Sequence, residues 1–66
     1  MKNRIKPLRI QLKLTQEALA KECNVSRQTI NCIENDKYDP TLALAFKIAR
    51  ALKTNVEEVF NYDEIY

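Results

Sequence analysis

Gln16-Glu17-Ala18-Leu19-Ala20-Lys21-Glu22-Cys23-Asn24-Val25-Ser26-Arg27-Gln28-Thr29-Ile30-Asn31-Cys32-Ile33-Glu34-Asn35 is the stretch from which the rest of the chain is read. Thr15, just ahead of it, is a good N-cap, because its hydroxyl can accept a backbone N–H that the first helical turn leaves open. Leu19, Ala20 and Cys23 then fall on one stripe of a helix reaching about Glu22. Asn24 stands where that helix must stop, since asparagine accepts the left-handed conformation better than most residues. Ser26 caps a second helix reaching about Asn35, with Ile30 and Ile33 inward.

The linker Asn24-Val25-Ser26 is too short to bring the two helices antiparallel, so they must cross steeply, and Ala20 supplies the small side chain that close crossing needs. Leu19, Cys23, Val25, Ile30 and Ile33 then share one interior, which is the helix-turn-helix pattern. At 100° per residue, with Ile30 and Ile33 marking the buried direction, Gln28, Asn31, Cys32 and Asn35 point outward and Arg27 sits at the exposed helix start. This face carries no carboxylate. Arginine pairs bidentately with guanine and glutamine or asparagine with adenine in the major groove, so the face suits duplex DNA. Glu34 lies toward the flank of the buried stripe.

Outward from this core, the remaining segments also read as helices. One runs from about Arg4 to Leu12, with Ile5, Leu8 and Leu12 on a stripe and Pro7 near its start. Asn35 to Pro40 is a cluster of turn formers. Thr41 caps a helix through Leu52 that is apolar around most of its girth and so expected to be central. Asn55 and Glu58 form a capping-box-like start for a short last helix. The expected architecture is all-α, one compact five-helix domain over residues 1–66, with room for a short terminal β pairing.

Composition bounds the function. The chain has 66 residues, two cysteines, no histidine and no glycine. A structural zinc site needs about four N or S ligands, so none is expected, nor any other metal or cofactor. Without histidine, a glycine-rich phosphate loop or paired carboxylates around a pocket, an enzyme is not expected either. No apolar run approaches the ~18 residues of a membrane span, and no secretory leader is apparent, so a cytoplasmic protein with reduced thiols is expected. Cys23 reads as a small core hydrophobe and Cys32 as a passive thiol. Residues 1–33 carry seven basic and two acidic side chains, a net +5, whereas residues 34–66 carry four and seven, a net −3. Such a chain meets a polyanion with one side only.

Leu14-Thr15-Gln16-Glu17-Ala18-Leu19-Ala20, Val25-Ser26-Arg27-Gln28-Thr29-Ile30 and Ile33-Glu34-Asn35 resemble the Cro/C1-type (Xre) helix-turn-helix family of phage and bacterial repressors. Arg9-Ile10-Gln11-Leu12 and Lys37-Tyr38-Asp39-Pro40-Thr41-Leu42 extend the likeness, which covers about Ile5 to Phe60. The resemblance implies a lambda-repressor-like fold and a regulator of transcription. It implies base reading by Arg27, Gln28 and Cys32, to which the helical wheel adds Asn31. It implies phosphate contact by Gln16, Lys37 and Tyr38; Thr15, Ser26, Thr29 and Asn35 are assigned to phosphates beside them. Arg9 and Glu34 match a pair that is an internal ion pair in relatives. Cys32 departs from the family, which often has a hydrogen-bonding side chain there, and Asn24 and Asp36 stand where glycine is common.

One such helix covers about half a turn of groove, so a homodimer on a two-fold operator is expected. Its face is assigned to Val56, Val59, Phe60, Tyr62 and Ile65, an apolar, non-basic stretch. The expected partners are therefore double-stranded DNA and a second copy, with no membrane and no small-molecule ligand. The competing function is an antitoxin or protein-interaction module on the same fold.

Overall fold

Four of the helix starts are set by a short polar side chain. Thr15, Ser26, Thr41 and Asn55 lie in extended backbone and accept the N–H of Ala18, Thr29, Leu44 and Glu58 in turn. Each such cap stabilises its helix by about 1 kcal/mol. The computed structural model describes residues 1–60, which hold five helices: α1 (Ile5–Gln11), α2 (Gln16–Cys23), α3 (Arg27–Glu34), α4 (Leu42–Ala51) and α5 (Val56–Val59). No strand occurs among the described residues. The expected terminal β pairing, with Tyr62 and Ile65, lies outside them. Pro7 is the third residue of α1, inside the first turn, where its missing N–H costs nothing.

The helix exits repeat one device. Lys13, Asn24, Asp36 and Lys53 all take the left-handed conformation, at φ of 59°, 59°, 61° and 60°. The residue after each donates back across six residues: Leu14 to Arg9, Val25 to Ala20, Lys37 to Cys32 and Thr54 to Ala49, at 2.8–3.0 Å. This is the Schellman closure of a helix end, which normally uses glycine. Here the chain has none.

α2 packs on both α3 and α4, and α4 carries α5. Ile5, Leu19, Ile30, Ile33, Ile48, Val59 and Cys23 are completely buried where these elements meet. Arg4 N–H donates to the Val59 carbonyl at 2.8 Å, which joins the start of α1 to α5. Two expectations are corrected. α4 is not apolar inward all round: Leu44, Ala45, Ile48 and Ala49 face the core, but Leu42 is 70% and Phe46 57% exposed. The covering elements α2 and α5 reach only one side of it. The assigned dimer face also fails at two positions, because Val59 and Phe60 are buried in the chain's own core. α5 is a single turn, so it can close the end of α4 only by spending its apolar side chains inward. Val56 packs partly buried against the same cluster.

Candidate nucleic-acid interface

α3 begins at the Ser26 cap, where the Ser26 and Thr29 hydroxyls also hold each other at 2.9 Å. Its far end is held by α1. Arg9 donates from Nε to Glu34 Oε2 at 3.2 Å and from an Nη to Glu34 Oε1 at 3.0 Å. The same guanidinium donates to the Leu14 carbonyl at 2.8 Å. The two side chains are only 12% and 6% exposed, so this is an internal bidentate pair. Arg9 and Glu34 thus fix the angle at which α3 leaves the core.

Arg27 and Gln28 are exposed on the outer face and have no side-chain hydrogen bond among the described residues. Asn31 is placed differently from the expectation of an open base reader. Its amide donates to Gln16 Oε1 at 3.3 Å, and its Oδ1 accepts from Asn35 at 3.3 Å. Asn35 also donates to the Asn31 carbonyl at 3.0 Å, just past the end of α3. Asn31 therefore bridges α3 to the first residue of α2, because both ends of a short amide lie within reach of neighbouring amides. With the Gln16 carbonyl oxygen held in this way, its N–H donors remain for an outside acceptor at the start of α2.

Three adjoining open depressions run along this surface. One of about 310 Å³ lies among Arg9, Thr15, Gln16, Glu17 and Arg27, at the α2 N-terminus. The next, about 380 Å³, is lined by Arg27, Gln28 and Asn31. The third, about 350 Å³, lies among Ser26, Gln28, Thr29, Cys32, Lys37 and Tyr38. Shared Arg27 and Gln28 make the three continuous. Glu17 is the one carboxylate lining them. Cys32, expected to point outward, is half-buried, because the chain folds back after α3 and Lys37 N–H donates to its carbonyl at 2.8 Å.

The loop that carries Lys37 and Tyr38 is tied down by residues that sequence reasoning missed. Asn3 donates to the Ile33 carbonyl at 2.9 Å and to Asp36 at 3.1 Å, and the Met1 ammonium meets Asp39 at 2.8 Å. The hydrogen bond to Asp39 raises the pKa of that ammonium. Both loop carboxylates are thus engaged by the N-terminal segment, which offsets their charge beside Lys37. The available signal was an asparagine two residues ahead of α1, whose Oδ1 accepts the Ile5 N–H at 3.1 Å. Its reach to α3 has no local signature.

The helix-turn-helix family model matches residues 5–59 of the chain. An uncharacterized HTH-type transcriptional regulator of Methanocaldococcus jannaschii is 53% identical over 64 residues, covering 97% of each chain. Among solved structures, the restriction-modification controller protein C.AhdI of Aeromonas hydrophila is similar with a TM-score of 0.80, at 28% identity and over 85% of each chain. The DNA-binding domain of the P22 C2 repressor is similar with a TM-score of 0.77 and 28% identity, over 80% of this chain and 70% of that one.

Proposed function

The chain belongs to the Cro/C1-type (Xre) helix-turn-helix family of transcriptional regulators, and we propose that it represses transcription by binding a short two-fold symmetric operator as a homodimer. One observation carries the reading. Arg27 and Gln28 stand exposed and unengaged on a helix whose far end is held rigidly by Arg9 and Glu34. Side chains left open on a fixed element are what base readout requires, since reading needs a set register.

In this reading Arg27 and Gln28 address base edges in the major groove. Gln16, with Thr15 at the α2 N-terminus, meets one phosphate, and that helix end favours an anion. Lys37 and Tyr38 meet another from the loop after α3, and the Ser26–Thr29 cap and Asn35 lie along the same strand. Asn31 acts by positioning Gln16.

The dimer is argued from size. The chain measures 30 Å in its longest direction. Successive major grooves on one face of the duplex are about 34 Å apart, so two copies are needed to read both half-sites. With Val59 and Phe60 in the core, Leu42 and Phe46 are the most exposed large apolar side chains among the described residues. They lie one turn apart on α4, next to the loop that bears Lys37, and a second copy covering them supplies burial that a short chain lacks.

Selection of bound sequences from a random duplex pool tests this. The expected product is an inverted repeat whose half-sites are centred about 10 base pairs apart or a multiple of that. A pool that shows no enrichment, or a single non-repeated site bound by one copy, overturns the reading.

A further inference from the structure

We propose that the depression formed by Thr29, Cys32 and Tyr38 takes the C5-methyl group of a pyrimidine, thymine in unmodified DNA, and so fixes one base of each half-site. This rests on the DNA-binding reading above and adds a base that no hydrogen bond reads.

The depression has polar rims and an apolar middle. Gln28 stands at one edge and Lys37 at another. Between them the hydroxyls of Ser26 and Thr29 are occupied with each other and with the Thr29 N–H. What remains is the Cys32 thiol and the Tyr38 ring. A thiol is a poor hydrogen-bonding group and packs as a small polarizable hydrophobe. Tyr38 is 49% exposed, so the core does not account for its ring. Its place is nonetheless fixed, because the preceding residue donates its N–H to the Cys32 carbonyl at 2.8 Å. Gln28, Thr29 and Cys32 lie three and four residues apart and so share one side of α3.

Among the groups that base pairs present in the major groove, the thymine methyl is the apolar one, and the rest are donors or acceptors. A donor or acceptor pressed against a thiol and an aromatic ring would lose its water without gaining a partner. The C5 position also lies on the edge of the pyrimidine nearest its own strand's backbone. It therefore falls between a base met by Gln28 and a phosphate met by Lys37, which is where the depression lies.

The test uses the selected operator. Each thymine is replaced in turn by deoxyuridine, which removes only the methyl group, and affinities are measured for the wild type, Cys32→Ser and Tyr38→Ala. In a further arm, cytosine and 5-methylcytosine are compared at the same position. At one thymine per half-site, deoxyuridine should weaken the wild type by about fourfold, the value of one buried methyl. Tyr38→Ala and Cys32→Ser should bind the thymine and deoxyuridine duplexes more nearly alike. A wild-type preference for 5-methylcytosine over cytosine identifies the methyl itself as the group read, whereas its absence assigns recognition to thymine as a whole base and overturns the methyl reading. Indifference to deoxyuridine at every position, or sensitivity undiminished in both variants, overturns this inference while leaving DNA binding intact. Failure to bind any duplex overturns both.

Discussion

Arg9 and Glu34 join the first and third helices through two contacts of 3.0 and 3.2 Å in a nearly solvent-free setting. Removing one partner strands the other charge, which typically costs about 3–5 kcal/mol. A chain of this size has a total stability of roughly 3–10 kcal/mol. Arg9→Ala should therefore be largely unfolded at growth temperature, and the paired replacement Arg9→Met with Glu34→Leu should recover most of the loss. Thermal melts followed by circular dichroism decide this; a single variant melting like wild type would mean that the pair is not the anchor of α3.

Lys13 and Lys53 hold left-handed backbone at the ends of α1 and α4. That conformation costs a residue with a β-carbon about 1–2 kcal/mol, offset in part by the extra freedom glycine has when unfolded. Lys13→Gly and Lys53→Gly should each stabilise by about 0.5–1 kcal/mol, a rise of roughly 2–8 °C in Tm for so small a chain. Equal or lower melting temperatures would show that the strain is relieved in some other way.

Burial, with Glu22 adding to it, pushes the Cys23 thiol above its ordinary pKa. The folded state then keeps a proton that the unfolded chain gives up. The stability this supplies is complete below the unfolded thiol value of about 8.5 and drains away as pH rises toward the folded value. The advantage of the wild type over Cys23→Ala should shrink between about pH 8 and pH 10. A constant difference across that range would contradict the assignment.

Leu42 and Phe46 are exposed in the single chain, so Leu42→Ser with Phe46→Ser should leave the melting temperature nearly unchanged and impair self-association. Sedimentation equilibrium at micromolar concentration is expected to give a dimer for the wild type and a monomer for the double variant. A monomeric wild type contradicts the dimer; a dimeric variant moves the contact to another surface.

What was legible in the sequence was chemistry acting over a few residues. Thr15, Ser26, Thr41 and Asn55 announce helix starts because their side chains reach only the N–H three residues ahead, and Asn24 announces an exit by its own backbone preference. Lys13 and Lys53 gave no such notice, since lysine has no left-handed preference and the conformation is imposed by the packing of the next segment of chain. The outer side of α4 was misread for a related reason. Periodicity tells which side chains are apolar and not which neighbours exist to cover them, so Leu42 and Phe46 looked central and Val59 and Phe60 looked available. At the site, Arg27 and Gln28 were legible from the helical wheel alone. The occupied amide of Asn31, the half-burial of Cys32 and the tether from Asn3 depend on segments far apart in the chain and were not.

The central claim is that this chain discriminates among DNA sequences through the outer face of α3. The most direct measurement compares affinity for the selected operator with affinity for a scrambled duplex of equal length, at physiological salt, for the wild type, Arg27→Ala, Gln28→Ala and Lys37→Ala. The wild type should prefer the operator by roughly a thousandfold or more. Arg27→Ala and Gln28→Ala should each lose about 1–3 kcal/mol on the operator alone, whereas Lys37→Ala should weaken both duplexes alike and flatten the salt dependence by about one phosphate contact. Equal affinity of the wild type for both duplexes, or undiminished preference in both Arg27→Ala and Gln28→Ala, would contradict the account.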